Sequence, residues 1–161
     1  MVEKPITATV EEGKKLIQMA KDAGVKLSVG HIERFNPALI ELKKRLDDGE
    51  IGKVFRVQSR RMGPFPARIR DVGVVVDLAS HDVDIVRYIM GTEIVRVYAE
   101  TAQNITTDRE DMIDCVLRCE NDVVGTLNIN WLTPTKIREL TVTGTHGMFV
   151  VNYLFQELYF Y

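Results

Sequence analysis

Two hydrophobic patterns divide the chain near residue 91. In residues 9–24, 36–47 and 74–90, apolar positions recur every three to four residues, which predicts amphipathic helices. Residues 53–62 alternate between apolar and polar types, which predicts a half-buried strand between the second and third helices. Beyond residue 91 the alternation continues in successive short segments. The chain is therefore expected to combine helices with a large sheet.

Residues with known positional preferences mark the ends of the predicted helices. Thr9 is followed three residues later by a glutamate, the pattern of a capping box. Asn36 precedes Pro37, as an N-cap precedes the first helical position. Gly91 supplies a C-terminal stop for the third helix. The short apolar segment 25–29 after the first helix predicts a buried parallel strand, the end of a βαβ unit.

Short turns separate six strand-like segments in the second half, which predicts a mostly antiparallel sheet. These segments are residues 94–104, 112–119, 123–131, 137–142, 147–151 and 154–161. The predicted fold class is α+β: a C-terminal remnant of a Rossmann-like α/β unit, then a large, mostly antiparallel open sheet packed with helices. The boundary is expected at residue 35, giving domains 1–35 and 36–161. Strand-like sequence continues to the last residue, so the second domain is expected to be truncated at its C-terminus.

Charge and composition exclude several classes of function. The 161 residues carry a net charge of -2, which gives no general affinity for nucleic acid or anionic membranes. No apolar run is long enough to span a bilayer, and the N-terminus lacks the apolar stretch of a signal peptide, so a cytoplasmic location is expected. Cys115 and Cys119 lie about 13 Å apart along one predicted strand, too far for a disulfide, and are expected to be buried thiols.

Asp77, His81 and Asp84 form the main candidate for acid–base chemistry. Their i, i+4, i+7 spacing places them on one face of the predicted third helix. A carboxylate beside an imidazole is a common arrangement for proton transfer, although such a pair is also a frequent structural hydrogen bond. The spacing of the chain's histidines, with His31 and His146 as the others, matches no metal motif, so no metal is expected.

Four arginines occur within eleven residues beside this helix: Arg60, Arg61, Arg68 and Arg70. Guanidinium groups bind phosphates through paired hydrogen bonds, so this loop could clamp a diphosphate. It could equally be a solvated basic surface. The sequence leaves both interpretations open.

Four motifs in order give the chain a family resemblance. They are Glu3-Lys4-Pro5, the stretch from Gly30 to Pro37, the stretch from Gly49 to Val54, and the run from Asp77 to Asp82. With these motifs the chain resembles the C-terminal part of the glucose–fructose oxidoreductase / inositol dehydrogenase / MocA (Gfo/Idh/MocA) family, and is similar to its UDP-N-acetylglucosamine 3-dehydrogenase-like members. The family resemblance implies an NAD- or NADP-dependent oxidoreductase that oxidises a ring hydroxyl of a sugar or nucleotide sugar.

The resemblance also implies roles for individual residues. The lysine of the first motif contacts the substrate hydroxyl and the nicotinamide region, and the histidine of the last motif is the expected general base. The implied catalytic residues are Lys4, Asp77 and His81. The implied cofactor-binding residues are Glu3, Lys4, Pro5, His31 and Arg34. The substrate-binding residues expected are Arg61, Arg68, Arg70, Asp77 and His81.

The chain lacks the Gly-x-Gly-x-x-Gly turn that holds a dinucleotide. We therefore expect it to carry catalytic side chains without the phosphate cradle and to be inactive alone, as a fragment of a longer enzyme. The alternative is a non-enzymatic module, either a sugar-binding one or an assembly module whose sheet pairs with a second copy. In either case a homo-oligomer formed through the sheet is expected, because an open sheet face needs cover.

Overall fold

The computed structural model describes residues 1–67, 69, 71–105 and 108–161, and its contacts divide them into two compact units. The first unit is Met1–Ile32 and the second is Glu33–Tyr161. The sequence analysis predicted this boundary after residue 35, three residues further along the chain. Among the described residues, no helix combines the length and the apolar character that crossing a membrane requires. The cytoplasmic location stays a prediction.

The first unit is built around α1, Val10–Asp22. The predicted capping box is confirmed: the Glu12 backbone N–H donates to Thr9 Oγ1 (3.3 Å), and the Thr9 N–H donates to the Glu12 carboxylate (3.1 Å). The predicted strand at residues 25–29 is wrong, because only Val29 makes a bridge there, a parallel one to Val2. A parallel strand needs a continuous ladder of partners, and the described part of this unit offers one bridge.

The helices of the second unit begin and end at the predicted signals. α2 spans Pro37–Asp47, and its N-cap Asn36 accepts a hydrogen bond from the Ala38 N–H (3.1 Å). The third predicted helix has two parts, a π-helical turn at Val75–Ala79 followed by α3 at Ser80–Met90. Gly91 ends α3 with φ at 61°, a left-handed conformation that a glycine adopts without a steric penalty.

The described residues of the second unit form one seven-stranded, mostly antiparallel open sheet, so the predicted α+β fold is confirmed. Its spatial order is β2-β3-β4-β1-β5-β6-β7, and the β1–β4 pair is parallel. The strands are β1 Val54–Pro64, β2 Ile94–Ala102, β3 Met112–Cys119, β4 Val124–Asn130, β5 Leu132–Gly144, β6 Gly147–Asn152 and β7 Glu157–Phe160. β5 starts five residues before its predicted start, and β7 is shorter than predicted.

The two faces of the sheet have different roles. One face is covered by the helices, and apolar side chains of α2 and α3 such as Leu39 and Ile85 join strand residues such as Val57 and Leu140 in one core. The other face is open: the residues that alternate with the buried ones along β1 and β3 are exposed or half-buried. Both cysteines lie in β3 on the covered face as buried free thiols, and burial raises their pKa.

Candidate active site

The candidate catalytic residues lie where the π-helical turn meets α3. Asp77 is half-buried within the turn, and His81 is half-buried in the first turn of α3. Glu110 anchors the start of this segment: its backbone carbonyl accepts from the Val74 N–H (2.9 Å), and its carboxylate accepts from the Val75 N–H (3.2 Å). The segment that carries Asp77 is therefore fixed by backbone hydrogen bonds at its N-terminal end.

Gly73 makes this anchoring possible. A Cβ at that position would lie 2.1 Å from Glu110 Oε1, so any larger residue would displace the carboxylate that holds the turn. The Asp77 N–H donates to the Gly73 carbonyl (3.0 Å). This hydrogen bond links the candidate catalytic residue to the glycine at the start of the segment. A π-turn in a helix is frequently found at functional sites.

Asp84, the third candidate of the sequence pattern, pairs with Arg34. Asp84 is buried and accepts hydrogen bonds from Nε (2.8 Å) and Nη2 of Arg34. The guanidinium of Arg34 also lies over the Tyr88 ring, 5.1 Å from its centroid. The hydrogen bonds to Asp84 are the main reason that the pKa of Arg34 is raised. Asp84 therefore has a structural role, and a cofactor contact by Arg34 stays a prediction.

A buried charge cluster lies beneath α3. Arg61 on β1 donates from Nε to Asp82 (2.5 Å) and from Nη1 to Glu33 (2.7 Å), and its side chain is only 2% exposed. Ser59, two residues earlier on β1, donates to the other oxygen of Asp82 (2.5 Å). Burial alone would lower the pKa of Arg61, but the two carboxylates outweigh it and raise that pKa. The cluster fixes α3 on the sheet.

This cluster corrects the prediction that Arg61 binds substrate. A residue that clamps a diphosphate must reach a ligand, whereas Arg61 is buried and paired with two carboxylates. Arg68 and Arg70, the other two arginines of that prediction, lie outside the described residues. The sequence analysis missed Asp82 and Ser59. The signal was present, because Ser59 and Arg61 are polar residues at the inward-facing positions of a strand.

A small cavity adjoins Asp77. Its volume is about 160 Å³, and its lining includes the cations Lys136 and Arg138 of β5, with Trp131 as an apolar wall. Trp131 is buried and packs edge-on against Phe65, with ring centroids 5.7 Å apart. The sequence analysis did not single out the two cations, although Arg138 is a basic residue on a strand at a position that faces the helices.

The remaining predicted site residues belong mainly to the first unit. Lys4 is half-buried and is followed by a cis peptide bond to Pro5, while Glu3 is exposed. Gly30 donates its N–H to the Val2 carbonyl (2.8 Å), which fixes the segment before His31, itself half-buried. The predicted cofactor contacts of these residues stay predictions.

The described residues of the first unit do not fit the diphosphate of a dinucleotide. In such a unit a phosphate binds at a glycine-rich turn that opens a helix, whereas no such turn precedes α1 in this chain and the side chains of Thr9 and Glu12 cap its N-terminus. Glu11 and Glu12 also make its first turn acidic, which repels an anion. Among the described residues, no group of three His, Cys, Asp or Glu side chains is arranged to hold a metal ion.

Both units match models of known protein families. Residues 39–150 match the GFO/IDH/MocA C-terminal domain, and residues 1–31 match the oxidoreductase family with an NAD-binding Rossmann fold. The curated relatives include scyllo-inositol 2-dehydrogenase (NAD(+)) of Bacillus subtilis, 41% identical over 60% of this chain and 29% of that protein. UDP-N-acetylglucosamine 3-dehydrogenase of Acidithiobacillus ferrooxidans is 29% identical over the whole chain and 50% of its own length.

Solved structures agree with these matches. The Acidithiobacillus ferrooxidans enzyme GnnA superposes with a TM-score of 0.87 at 29% identity, over 99% of this chain and 52% of its own. The WlbA dehydrogenase of Bordetella pertussis, solved in complex with NADH and UDP-GlcNAcA, superposes with a TM-score of 0.85 at 30% identity, over 93% and 47%. The chain thus spans about half the length of these solved relatives, and half or less of the two curated relatives above.

We predict that Asp82→Asn lowers the free energy of unfolding by about 3 kcal/mol, because it removes one partner from a buried ion pair. Urea denaturation followed by circular dichroism measures the change. The matched control is Glu93→Gln, which breaks the exposed pair with Arg87 (2.6 Å) and should leave the midpoint nearly unchanged. Equal effects of the two substitutions would show that the cluster does not hold α3.

Proposed function

Because the chain belongs to the GFO/IDH/MocA family, we propose that it is the catalytic and substrate-binding part of an NAD(P)-dependent oxidoreductase. The proposed substrate is a sugar, cyclitol or nucleotide sugar that is oxidised at a ring hydroxyl. The observation that carries the proposal is the position of Asp77 and His81, one turn apart on a segment anchored by Glu110, with Asp77 lining a small cavity. The cytoplasm is its proposed location.

The proposed chemistry divides between hydride and proton. Oxidation of a secondary hydroxyl removes a hydride from carbon and a proton from oxygen, and a bound nicotinamide supplies the hydride acceptor. In our proposal His81 accepts the hydroxyl proton, and Asp77 orients the imidazole. Lys4, the third residue implied by the family motif, stabilises the negative charge that develops on the oxygen.

The phosphate part of the cofactor requires residues other than those described in the first unit. α1 has its N-terminus occupied by its own capping box, and the chain contains no glycine-rich dinucleotide turn. We therefore propose that the chain alone is inactive and that its active form includes a complete dinucleotide-binding unit. NAD and NADP cannot be discriminated by these residues, because that choice depends on an acidic or basic residue beyond the glycine-rich turn.

Calorimetric titration of the isolated chain with NAD, NADH, NADP and NADPH tests whether the chain alone lacks a cofactor-binding site. We expect no saturable binding up to about 1 mM, because no described residue set replaces the phosphate cradle. A related dehydrogenase with an intact glycine-rich turn serves as the positive control in the same buffer. Saturable binding in the micromolar range by the isolated chain would contradict the proposal.

His81→Asn tests the proton-transfer role in the protein that the native locus encodes, assayed by NAD(P)H absorbance with inositols and UDP-sugars. We expect kcat to fall about 10²- to 10⁴-fold with little change in KM, because the base acts mainly in the transition state. His146→Asn, which alters an exposed histidine in a turn, is the matched control and should keep full activity. Wild-type kcat in the His81 variant would remove His81 from the catalytic group.

The open face of the sheet supports a second candidate function, self-assembly. Register aligns one residue from each strand into a row across this face: Tyr98, Val116, Thr126, Gln58, Thr141, Val150 and Tyr159. Tyr98 and Val116, at the β2 end of this row, are 67% and 47% exposed. Large exposed side chains such as these on a sheet face are typical of a surface that is covered by a partner.

Charges of opposite sign flank this row on β2 and β3. Arg96 and Arg118 are paired on one side of it, and Glu100 and Asp114 are paired on the other. A second copy related by a two-fold axis along the row would place each basic pair over the partner's acidic pair. An axis parallel to the strands would not bring these pairs together. We propose that the chain forms a homodimer face to face about the first axis.

Charge exchange tests this arrangement by sedimentation velocity. We expect a variant with Glu100→Lys and Asp114→Lys to be monomeric, and a variant with Arg96→Glu and Arg118→Glu to be monomeric as well. A mixture of the two should form a heterodimer, because every flanking pair is again of opposite charge.

The charge control is Lys44→Glu on α2, which should dimerise like the wild type. A wild-type chain that is monomeric at all concentrations would contradict sheet-mediated assembly. Variants that still self-associate would contradict the proposed axis.

A further inference from the structure

The cavity beside Asp77 contains two cations that the proposed proton chemistry does not use. Lys136 and Arg138 lie two residues apart on β5, and both line this cavity with Asp77. Lys136 is exposed, whereas Arg138 is half-buried. Two cations beside a candidate catalytic carboxylate form a site in which an anionic group can be held near the reacting atoms.

The hydrogen bonding of Arg138 is incomplete in the described structure. Its Nη1 is buried and has no hydrogen-bond partner among the described residues. Burial lowers the pKa of Arg138, and the charge of Arg61 lowers it further, while Glu33, Asp82 and Asp77 act in the opposite direction. A buried N–H group without an acceptor costs free energy, so a bound acceptor at this position would be stabilising.

The nearby carboxylates of the charge cluster are already engaged. Asp82 accepts hydrogen bonds from Arg61 and Ser59, and Glu33 accepts one from Arg61. The negative charges of Asp82 and Glu33 are therefore balanced mainly by Arg61. An acceptor that enters through the cavity would satisfy Nη1 of Arg138, which has none among the described residues.

We propose that Arg138 and Lys136 bind an oxyanion carried by the substrate, a carboxylate or a phosphate, and that they select acidic sugars or sugar phosphates over neutral polyols. This inference rests on the proposed function, because it deepens the assignment of the same cavity. Arg138 offers paired N–H donors that match the two oxygens of a carboxylate or phosphate, and Lys136 adds a point charge. Both are specificity residues.

The size and walls of the cavity agree with this role. A volume of about 160 Å³ is below the roughly 300–1,000 Å³ of complete small-molecule sites, so it suits one substituent of a ligand. Trp131, Pro64 and Leu78 supply apolar walls, and charge interactions strengthen where such walls exclude water. An oxyanion in the cavity would leave the sugar ring next to Asp77.

Binding of matched ligand pairs to the full chain, without any cofactor, tests the inference. Glucuronate and glucose differ in a carboxylate, and glucose 6-phosphate and glucose differ in a phosphate. By ligand-observed NMR titration we expect the dissociation constant of at least one of the two anions to be at least tenfold lower than that of glucose. The two anionic ligands distinguish the carboxylate source from the phosphate source.

Substitutions connect the binding to the two cations. We expect Arg138→Gln to remove most of the preference for the anion and Lys136→Gln to reduce it about threefold, while Arg138→Lys restores part of it. Lys44→Gln, an exposed charge on α2, is the control and should bind like the wild type. Thermal unfolding of each variant shows that it is folded.

Three results would overturn the inference. They are equal binding of glucose and both anions, no binding of either anion, and an unchanged anion preference in Arg138→Gln. A purely structural role of Arg138 would lower the melting temperature of that variant and leave its anion preference intact. Because no nucleotide is present, these results are independent of the NAD titration and of the His81 kinetics that test the proposed function.

Discussion

The guanidinium of Arg61 joins three parts of the second unit within one buried hydrogen-bonded cluster. β1 supplies Arg61 and Ser59, α3 supplies Asp82, and the turn before α2 supplies Glu33. A charge this deeply buried is tolerated only when its partners are held in place, so the cluster requires α3 to lie in one position on the sheet. The guanidinium also lies over the ring of Tyr153, 5.3 Å from its centroid.

The position of the candidate active site follows from this constraint. Asp82 is the next residue after His81, so the ion pair that fixes Asp82 also fixes the start of α3. At the other end of the segment, Glu110 holds the turn that carries Asp77. The two candidate catalytic side chains thus lie between two anchored points. Such preorganisation lowers the cost of placing a proton acceptor against a hydroxyl.

The sheet separates the two proposed functions between its faces. The covered face carries the core, the charge cluster and the cavity with Arg138, and the open face carries the row that includes Tyr98 and Val116. Since side chains alternate along each strand, neighbouring residues of the same strand serve different faces. The residues proposed for substrate recognition and those proposed for self-association therefore differ, even though both sets lie on the same strands.

Local signals in the sequence determined much of this protein. The capping box at Thr9, the cap at Asn36, the stop at Gly91 and the alternation after it depend on neighbouring residues, and the structure has each of them. The sequence also placed Asp77 and His81 on one helical segment, because such a segment keeps a motif together whatever it packs on. These features are encoded in spacing over a few residues.

Other features depend on contacts between distant parts of the chain, and only the tertiary structure decided them. The sequence does not say that Arg61 would be buried against Asp82, that Asp84 would pair with Arg34, or that Arg138 would line a cavity. The apolar residues 25–29 suggested a strand, but a strand forms only where neighbouring strands pair with it. A charged side chain can bind a ligand or pair with another residue of the chain. Which of the two it does depends on the element that covers it, and long-range packing determines that element.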